Sequence, residues 1–385
     1  MARASSHTER VLSSVHTDRA GRIVVAADYG AAALFGDRPR ALDSGVPLPP
    51  DARLVPLPER GAVGIDRQGR PRALGAQRWA VGAILAPGHL RTRLPACAGG
   101  DDVPPLEPFG YAAVAAGADG ELVVAALPTG ESPAPARPTD AALASAITAG
   151  LRAHPSSGAL RLLSRCARDH GCAAAADAFL GRGDAALPVG GDRISAADLA
   201  AIAIAHLAGG GTGVTFGLVC DGEPLASPRI VADAAVQIRA AAPAARITIR
   251  TNASSAAAIG RIAAAGVDGL VVRLASARAD TYERIQTPRD FRWPDVRGGI
   301  RQAVASGLVV TIELLVLPGL TDRAPEADAL VALLRELPSG SVLRLRDLAA
   351  DPYVVLRANP GTEPDGVEAL IDRLRVEAPH VRPAA

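Results

Sequence analysis

The chain contains no lysine: all 41 of its basic residues are arginine. That absence excludes every mechanism built on an amine, including Schiff bases, a lysine general base and the phosphate-cradling lysine of a P-loop. Aromatic residues make up 3% of the sequence, and the formal net charge is +1. The stacking platforms and the basic stripe that hold nucleic acid are therefore missing, and nucleic acid is not expected as a partner. Four cysteines (Cys97, Cys166, Cys172 and Cys220) are too few and too scattered for a disulfide framework. The seven histidines show neither HExxH nor HxH spacing, so a zinc site is not expected. No G-x-S-x-G elbow is present, which removes the usual hydrolase reading. The first ten residues hold no apolar run of the kind a secretory signal needs, so the expected compartment is the cytoplasm. Leu199 to Cys220 lacks charge over a length sufficient to cross a bilayer, but Gly209–Gly213 interrupts it. It reads as helix, turn and buried strand, and no membrane association is expected.

What is present is a 385-residue chain that is 49% hydrophobic and 21% charged, which suits a globular protein of two or three domains. From Arg22 to about Leu127, short apolar runs such as Arg22–Ala26, Ala62–Ile65, Trp79–Leu85 and Leu122–Ala125 alternate with Gly, Pro and Asp. These predict a mainly β domain over residues 1–130. A proline-rich connection (Glu131–Pro138) and two helices broken at His154-Pro155 occupy residues 131–183. Cys166 and Cys172 then fall on one helix about 240° apart, facing different sides. From residue 184 to 385 strand and helix alternate. Ser195 with Asp198, Ser227-Pro228, Pro294 and Pro325 open helices, and Pro338 stops the last. The intervening strands, Ala185–Val189, Val214–Val219, Ile247–Ile249, Leu270–Leu274, Val309–Leu317 and Val342–Leu345, read as continuously apolar and buried on both faces. The fold predicted is α/β: a partial (β/α)6 TIM-like barrel with an N-terminal mainly-β domain.

In such a barrel the chemistry sits where strands end, because backbone donors and helix N-termini converge there. The strand ends carry Cys220-Asp221-Gly222-Glu223-Pro224, Arg250-Thr251-Asn252, Arg273 with Ser276, Leu317-Pro318-Gly319-Leu320-Thr321-Asp322, and Arg346-Asp347 followed by Asp351. This ring of carboxylates, amides, hydroxyls and guanidiniums suits a zwitterionic or ribose-bearing ligand. Glu223 could equally cap the helix that follows it, and Arg273 could serve an ion pair.

Gly222-Glu223-Pro224, Thr251-Asn252, Ser276 and the Leu317-Pro318-Gly319 turn, in that order at successive strand ends, resemble the S-adenosylmethionine-binding motifs of the radical S-adenosylmethionine superfamily. Tyr282–Ile285 with Pro288–Phe291, Leu314–Asp322 and Leu345–Leu348 are similar to long bacterial members with an N-terminal β extension. The resemblance implies S-adenosylmethionine as cofactor, with Glu223, set between Gly222 and Pro224, on its amino group. It also implies Arg273 and Ser276 near the carboxylate and ribose, Thr251 and Asn252 in support, and the backbone of Leu317 and Pro318 facing adenine. Ala253 stands where the family has glycine. A [4Fe–4S] cluster held by a C-x-x-x-C-x-x-C loop after the first strand is implied as well, yet this chain has only Gly190-Gly-Asp-Arg-Ile194 there, without a cysteine. Thiolates set the charge and softness such a cluster needs, and Cys220 alone is near the right end of the barrel.

Three functions follow as expectations. One is a degenerate, non-redox homologue that binds a small molecule at the barrel mouth, with a protein or peptide partner at the N-terminal domain. Another is an active radical enzyme with an unusually ligated cluster. The last is a non-redox barrel enzyme or binding protein using Glu223, Asp322 and Asp347 as carboxylates.

Overall fold

A computed structural model describes residues 12–86, 88–99, 103–129, 140–190, 194–218 and 222–383. The stretch between Ser13 and Pro128 folds as thirteen strands, β1 (Ser13–Thr17) to β13 (Ala126–Pro128). Eleven of them form one antiparallel sheet, while β13 pairs with β8 (His89–Arg91). At the end of β2 (Ile23–Phe35) successive residues turn to opposite faces and both are buried, Ala31 and Ala33 in one apolar cluster and Ala32 and Leu34 in another, while Leu57 of β5 (Arg53–Ile65) enters a third.

Three helices follow rather than two: α1 (Asp140–Ala153), α2 (Gly158–Asp169) and α3 (Ala173–Leu180). Ser157 caps α2 by accepting from the Leu160 amide at 3.2 Å. The second break arises at Gly171, whose backbone is left-handed with φ 60°. Cys166 and Cys172 consequently do not share a helix. Cys166 is buried on α2, and Cys172 precedes α3.

The remainder forms a seven-stranded, all-parallel sheet in strict chain order: β14 (Asp184–Leu187), β15 (Gly213–Phe216), β16 (Arg246–Thr251), β17 (Gly269–Leu274), β18 (Val309–Val316), β19 (Val342–Asp347) and a short β20 (Arg382–Pro383). Sequential order with right-handed crossovers places the connecting helices on one face. These are α4 (Ala196–Ala208), α5 (Pro228–Ala241), α6 (Ala256–Ala264), α7 (Ala279–Gln286), α8 (Trp293–Ala305), α9 (Ala324–Arg335), α10 (Pro352–Ala358) and α11 (Val367–Glu377). Ser195 opens α4 by accepting from the Asp198 amide at 3.1 Å. Val231, Ala234 and Ile238 of α5, with Val296 and Ile300 of α8, point into the core as their spacing requires.

The strands are not apolar on both faces. Ile247, Ile249, Leu270, Val272, Val310, Ile312, Leu314 and Leu343 pack into the main core with the helices. On the opposite face the register aligns Arg273, Glu313 and Arg344, with Arg250 one side-chain layer before them and Arg346 one layer after. Arg250 lies just beyond the segment Ile247–Ile249, whereas Arg273, Glu313 and Arg344 lie inside segments read as continuously apolar, and period-two alternation follows from counting them. The inner face is therefore polar.

The N-terminal sheet docks on the far ends of β18 and β19. Ala32, Leu34, Val63, Ile65, Leu94 and Ala96 form one cluster with Leu315, Leu317, Leu320 and Leu348. Arg91 on β8 is fully buried against this edge. Its Nη2 donates to the Leu348 carbonyl at 2.7 Å, and its Nε lies 3.4 Å from an Asp347 carboxylate oxygen. Arg60 pairs with Asp351 at 3.0 Å, both side chains being buried.

Candidate functional site

The ring of strand ends is divided in two by this docking. The ends of β15, β16 and β17 remain open and form a cleft of about 350 Å³ whose polar lining comes from Glu223, Arg250, Thr251, Asn252, Arg273 and Gln286. Gly222 and Pro224 line it as well, with Leu218 and Leu315 as apolar walls. The volume is within the range of small-molecule sites. Leu317 and Pro318, in contrast, are not among its lining. Leu317 is buried under the N-terminal sheet, and its amide donates to the Thr321 hydroxyl oxygen at 3.1 Å.

Glu223 is the most constrained group of the cleft. The strand before it stops at Phe216 because Gly217 turns left-handed (φ 103°), and a Cβ there would lie 2.6 Å from the Arg250 carbonyl. Pro224 then opens a single 3₁₀ turn, Pro224–Ala226, with Glu223 as its cap. Oε1 accepts from the Leu225 amide at 2.9 Å and from the Thr251 hydroxyl, and Oε2 accepts from the Asn252 amide at 2.8 Å. Each carboxylate oxygen has two acceptor sites. Oε1 is filled by its two donors, whereas Oε2 keeps one site for a donor arriving from the cleft. The capping and ligand-binding readings of Glu223 are thus compatible, one per oxygen.

The Thr251–Ser254 turn is held from several sides. Asn252 Oδ1 accepts from the Ser254 amide at 2.9 Å, and Thr251 Oγ1 accepts from the Ala253 amide at 3.1 Å. Ala253 has φ 58°, a left-handed backbone that costs a non-glycine residue about 1–2 kcal/mol. The turn keeps a glycine-like backbone at Ala253, so it is strained.

Arg273 Nε lies 3.0 Å from Glu313 Oε1, and Arg344 Nη1 lies 3.8 Å from Glu313 Oε2. Ser276 points away from the cleft. It donates to Glu326 on α9, and its Oγ accepts from the Arg278 amide at 2.8 Å. Of the predicted site residues, the structure gathers Gly222, Glu223, Pro224, Thr251, Asn252 and Arg273 around one cleft, and places Ser276, Leu317 and Pro318 outside its lining. Arg250, which stood in the predicted ring of strand ends without a role from the resemblance, belongs to the cleft, and so does Gln286, which was not a candidate. Arg250 had a signal, since it immediately precedes Thr251-Asn252. Gln286 had none, because it reaches back from α7 to accept from the Ala275 amide at 3.0 Å.

Glu223, Asp322 and Asp347 do not form one carboxylate set at the mouth. Asp347 is taken by Arg91. Asp322 is 2% exposed, accepts from the Gly319 amide at 2.7 Å, and is pushed up to about 6, chiefly by its burial. An acid whose pKa is raised by folding contributes stability below its unfolded value of 3.8, and loses it as pH rises through about 6. Between pH 4 and 7 the protein is expected to lose about 2 kcal/mol through this group. Asp322→Asn retains the acceptor for Gly319 and should flatten that part of the profile in urea titrations at several pH values. An unchanged profile would refute the assignment.

The described cysteines do not fit an iron–sulfur cluster. Cys97 lies in β10 (Cys97–Ala98) of the N-terminal sheet, where burial pushes its thiol up, away from the thiolate a metal needs. Cys166 and Cys172 belong to the helical segment. Among the described residues, no three His, Cys, Asp or Glu side chains converge as a metal group would require. Cys220, Asp221 and residues 191–193, which include most of the bridge without cysteine, lie outside the described residues, as does the proline-rich connection. Among the described residues no helix is long and apolar enough to cross a membrane.

No family model matches the chain, and no curated protein does. Solved structures do. A radical SAM methyltransferase from Sphaerobacter thermophilus is 20% identical, covering 49% of this chain and 55% of its own, with a TM-score of 0.33. The FeFe-hydrogenase maturase HydG from Carboxydothermus hydrogenoformans is 12% identical over 63% of this chain and 70% of its own (TM-score 0.38). Methylornithine synthase is 11% identical over 55% and 68% (TM-score 0.38). The chain spans little more than half the length of the Sphaerobacter enzyme. In structure, the chain is similar to radical SAM enzymes.

Proposed function

We propose that the parallel sheet forms a partial (β/α)6 barrel of the radical S-adenosylmethionine type, and that this chain is a non-redox member which retains a pocket for S-adenosylmethionine. The observation that carries this reading is Glu223: a carboxylate fixed by three donors, with one acceptor site directed to a cleft of small-molecule size. An ammonium group with several N–H donors complements that site. Thr251 and Asn252 hold the carboxylate in place, so the site is organised before a ligand arrives. The sequence has no C-x-x-x-C-x-x-C motif, and its described cysteines lie in separate elements, so no electron-transfer step is assigned.

Thermal unfolding with and without S-adenosylmethionine tests the pocket. At a hundredfold excess over Kd, stabilisation of about 2.7 kcal/mol is expected, and Glu223→Ala should abolish it while leaving the circular dichroism spectrum intact. No stabilisation of the parent protein would refute the reading. Anaerobic reconstitution with iron and sulfide tests the non-redox assignment: a colourless protein is expected. About four irons per chain with absorbance near 400 nm would show instead an enzyme with an unusually ligated cluster.

A further inference from the structure

The polar side chains that line the cleft are unequal in what they have left to offer. Glu223 and Thr251 are hydrogen-bonded to each other, Asn252 Oδ1 is used by Ser254, Gln286 is used by Ala275, and Arg273 is paired with Glu313. Arg250 and Arg273 each bury an Nε that makes no hydrogen bond among the described residues, and Arg250 differs in having no ion pair there either. Its side chain lines the cleft on the same inner face as Arg273, one layer deeper.

We propose that Arg250, with Arg273 beside it, binds an oxyanion group of a second small molecule, a carboxylate or phosphate ester, below the position of the S-adenosylmethionine amino group. The substrate class this assigns is an anionic metabolite rather than a neutral or cationic one.

Three physical arguments lead there. A desolvated guanidinium is costly unless its N–H groups are satisfied, and Arg250 Nε is not. Guanidinium presents a planar fork that matches carboxylate and phosphate oxygens in pairs, a geometry an ammonium would not supply. The electrostatic surroundings agree in direction: burial lowers the Arg250 pKa, Glu313 opposes this, and Arg273, Arg344 and Arg346 lower it further. Glu313 is already close to two of those guanidiniums. An arriving anion would add to the attraction that Glu313 supplies at Arg250. The carboxylate of S-adenosylmethionine is the competing occupant, and it is separated by experiment below.

The inference rests on the proposed pocket only for its position relative to S-adenosylmethionine; the anion site itself requires Arg250 and Arg273 alone. The test uses the full chain with inorganic phosphate as probe, at constant ionic strength balanced with chloride, read by thermal shift and calorimetric titration. Phosphate is expected to raise the melting temperature, and the rise should persist in saturating S-adenosylmethionine. Arg250→Gln should weaken phosphate at least tenfold. Arg250→Lys, which keeps the charge but loses the fork, should fall between. Glu313→Gln should strengthen phosphate several-fold, the opposite of what a merely damaged fold would give.

Failure of phosphate to shift the parent protein, or an unaltered phosphate affinity in Arg250→Gln, would overturn the proposal. So would abolition of the phosphate effect by S-adenosylmethionine, since Arg250 would then be serving that ligand's own carboxylate. A phosphate effect dependent on Arg250 in a protein that ignores S-adenosylmethionine would refute the proposed cofactor pocket and leave the anion site standing.

Discussion

Arg91→Ala is expected to lower the unfolding free energy by about 3–5 kcal/mol, the cost typical of removing one partner from a buried ion pair. The guanidinium is 0% exposed and reaches from the N-terminal sheet to both the carbonyl of Leu348 and the carboxylate of Asp347. Burial lowers the Arg91 pKa and raises that of Asp347, while each partner holds the other in its charged form. Without Arg91 the Asp347 carboxylate loses that support. Its folded pKa rises further, so the stability contributed by its protonated form is present at acid pH and lost as pH increases. The deficit of Arg91→Ala should therefore be larger at pH 8 than at pH 4.5 when urea midpoints are compared. Arg91 Nη1 has no hydrogen-bond partner, so the pair is incompletely satisfied. Replacing both members, Arg91→Leu with Asp347→Leu, should recover most of the loss, as an apolar pair of similar size often matches a buried ion pair. A single substitution with no measurable effect would show that the docking of the N-terminal sheet does not depend on this contact.

Gly299→Ala is the second large effect, at about 3 kcal/mol or more. A Cβ at this position of α8 would lie 1.9 Å from the Ala253 carbonyl oxygen and 2.9 Å from Ile259 Cδ1. Neither side has room to yield. Val296 and Ile300 hold α8 in the core, and the turn at Ala253 is fixed through Asn252 and Thr251 to Glu223. The same substitution one residue earlier meets nothing within 4 Å. Gly298→Ala should accordingly stabilise the helix by about 0.5–1 kcal/mol, because alanine is the better helix former. Paired urea titrations of the two variants make the comparison independent of helix propensity. Gly299→Ala should also weaken any ligand that depends on Glu223, by displacing the Asn252 amide. Equal stability of the two variants would exclude this account of the packing.

The contrast between the glycines marks the limit of reading along the chain. Helix α4 is legible because Ser195 and the apolar spacing after it act locally, and hydrogen bonding of Ser195 to the Asp198 amide is a three-residue event. The gathering of Glu223, Thr251 and Asn252 is legible for a related reason, since sequential parallel strands bring successive strand ends together. The extra helix break at Gly171 is a local event too, but its glycine is isolated among helix-forming residues and gives a weaker signal than His154-Pro155. On β16 the segment Ile247–Ile249 omits the flanking Arg246 and Arg250 that show the alternation, whereas Arg273, Glu313 and Arg344 are single charged residues inside otherwise apolar segments, and only the register aligns them on one face.

Sequence by itself determined the alternation of strand and helix after residue 184, the exclusion of amine chemistry, and the motif residues that cluster at Glu223. Tertiary structure decided which strand ends stay open. Docking of the N-terminal sheet covers Leu317 and occupies Asp347, through contacts between residues more than two hundred positions apart such as Arg91 and Leu348. It likewise decided that Arg250 faces the cleft with an unsatisfied N–H. Burial and pairing of this kind depend on surfaces brought together from distant parts of the chain, and no local pattern of apolar and polar residues encodes which surfaces those will be.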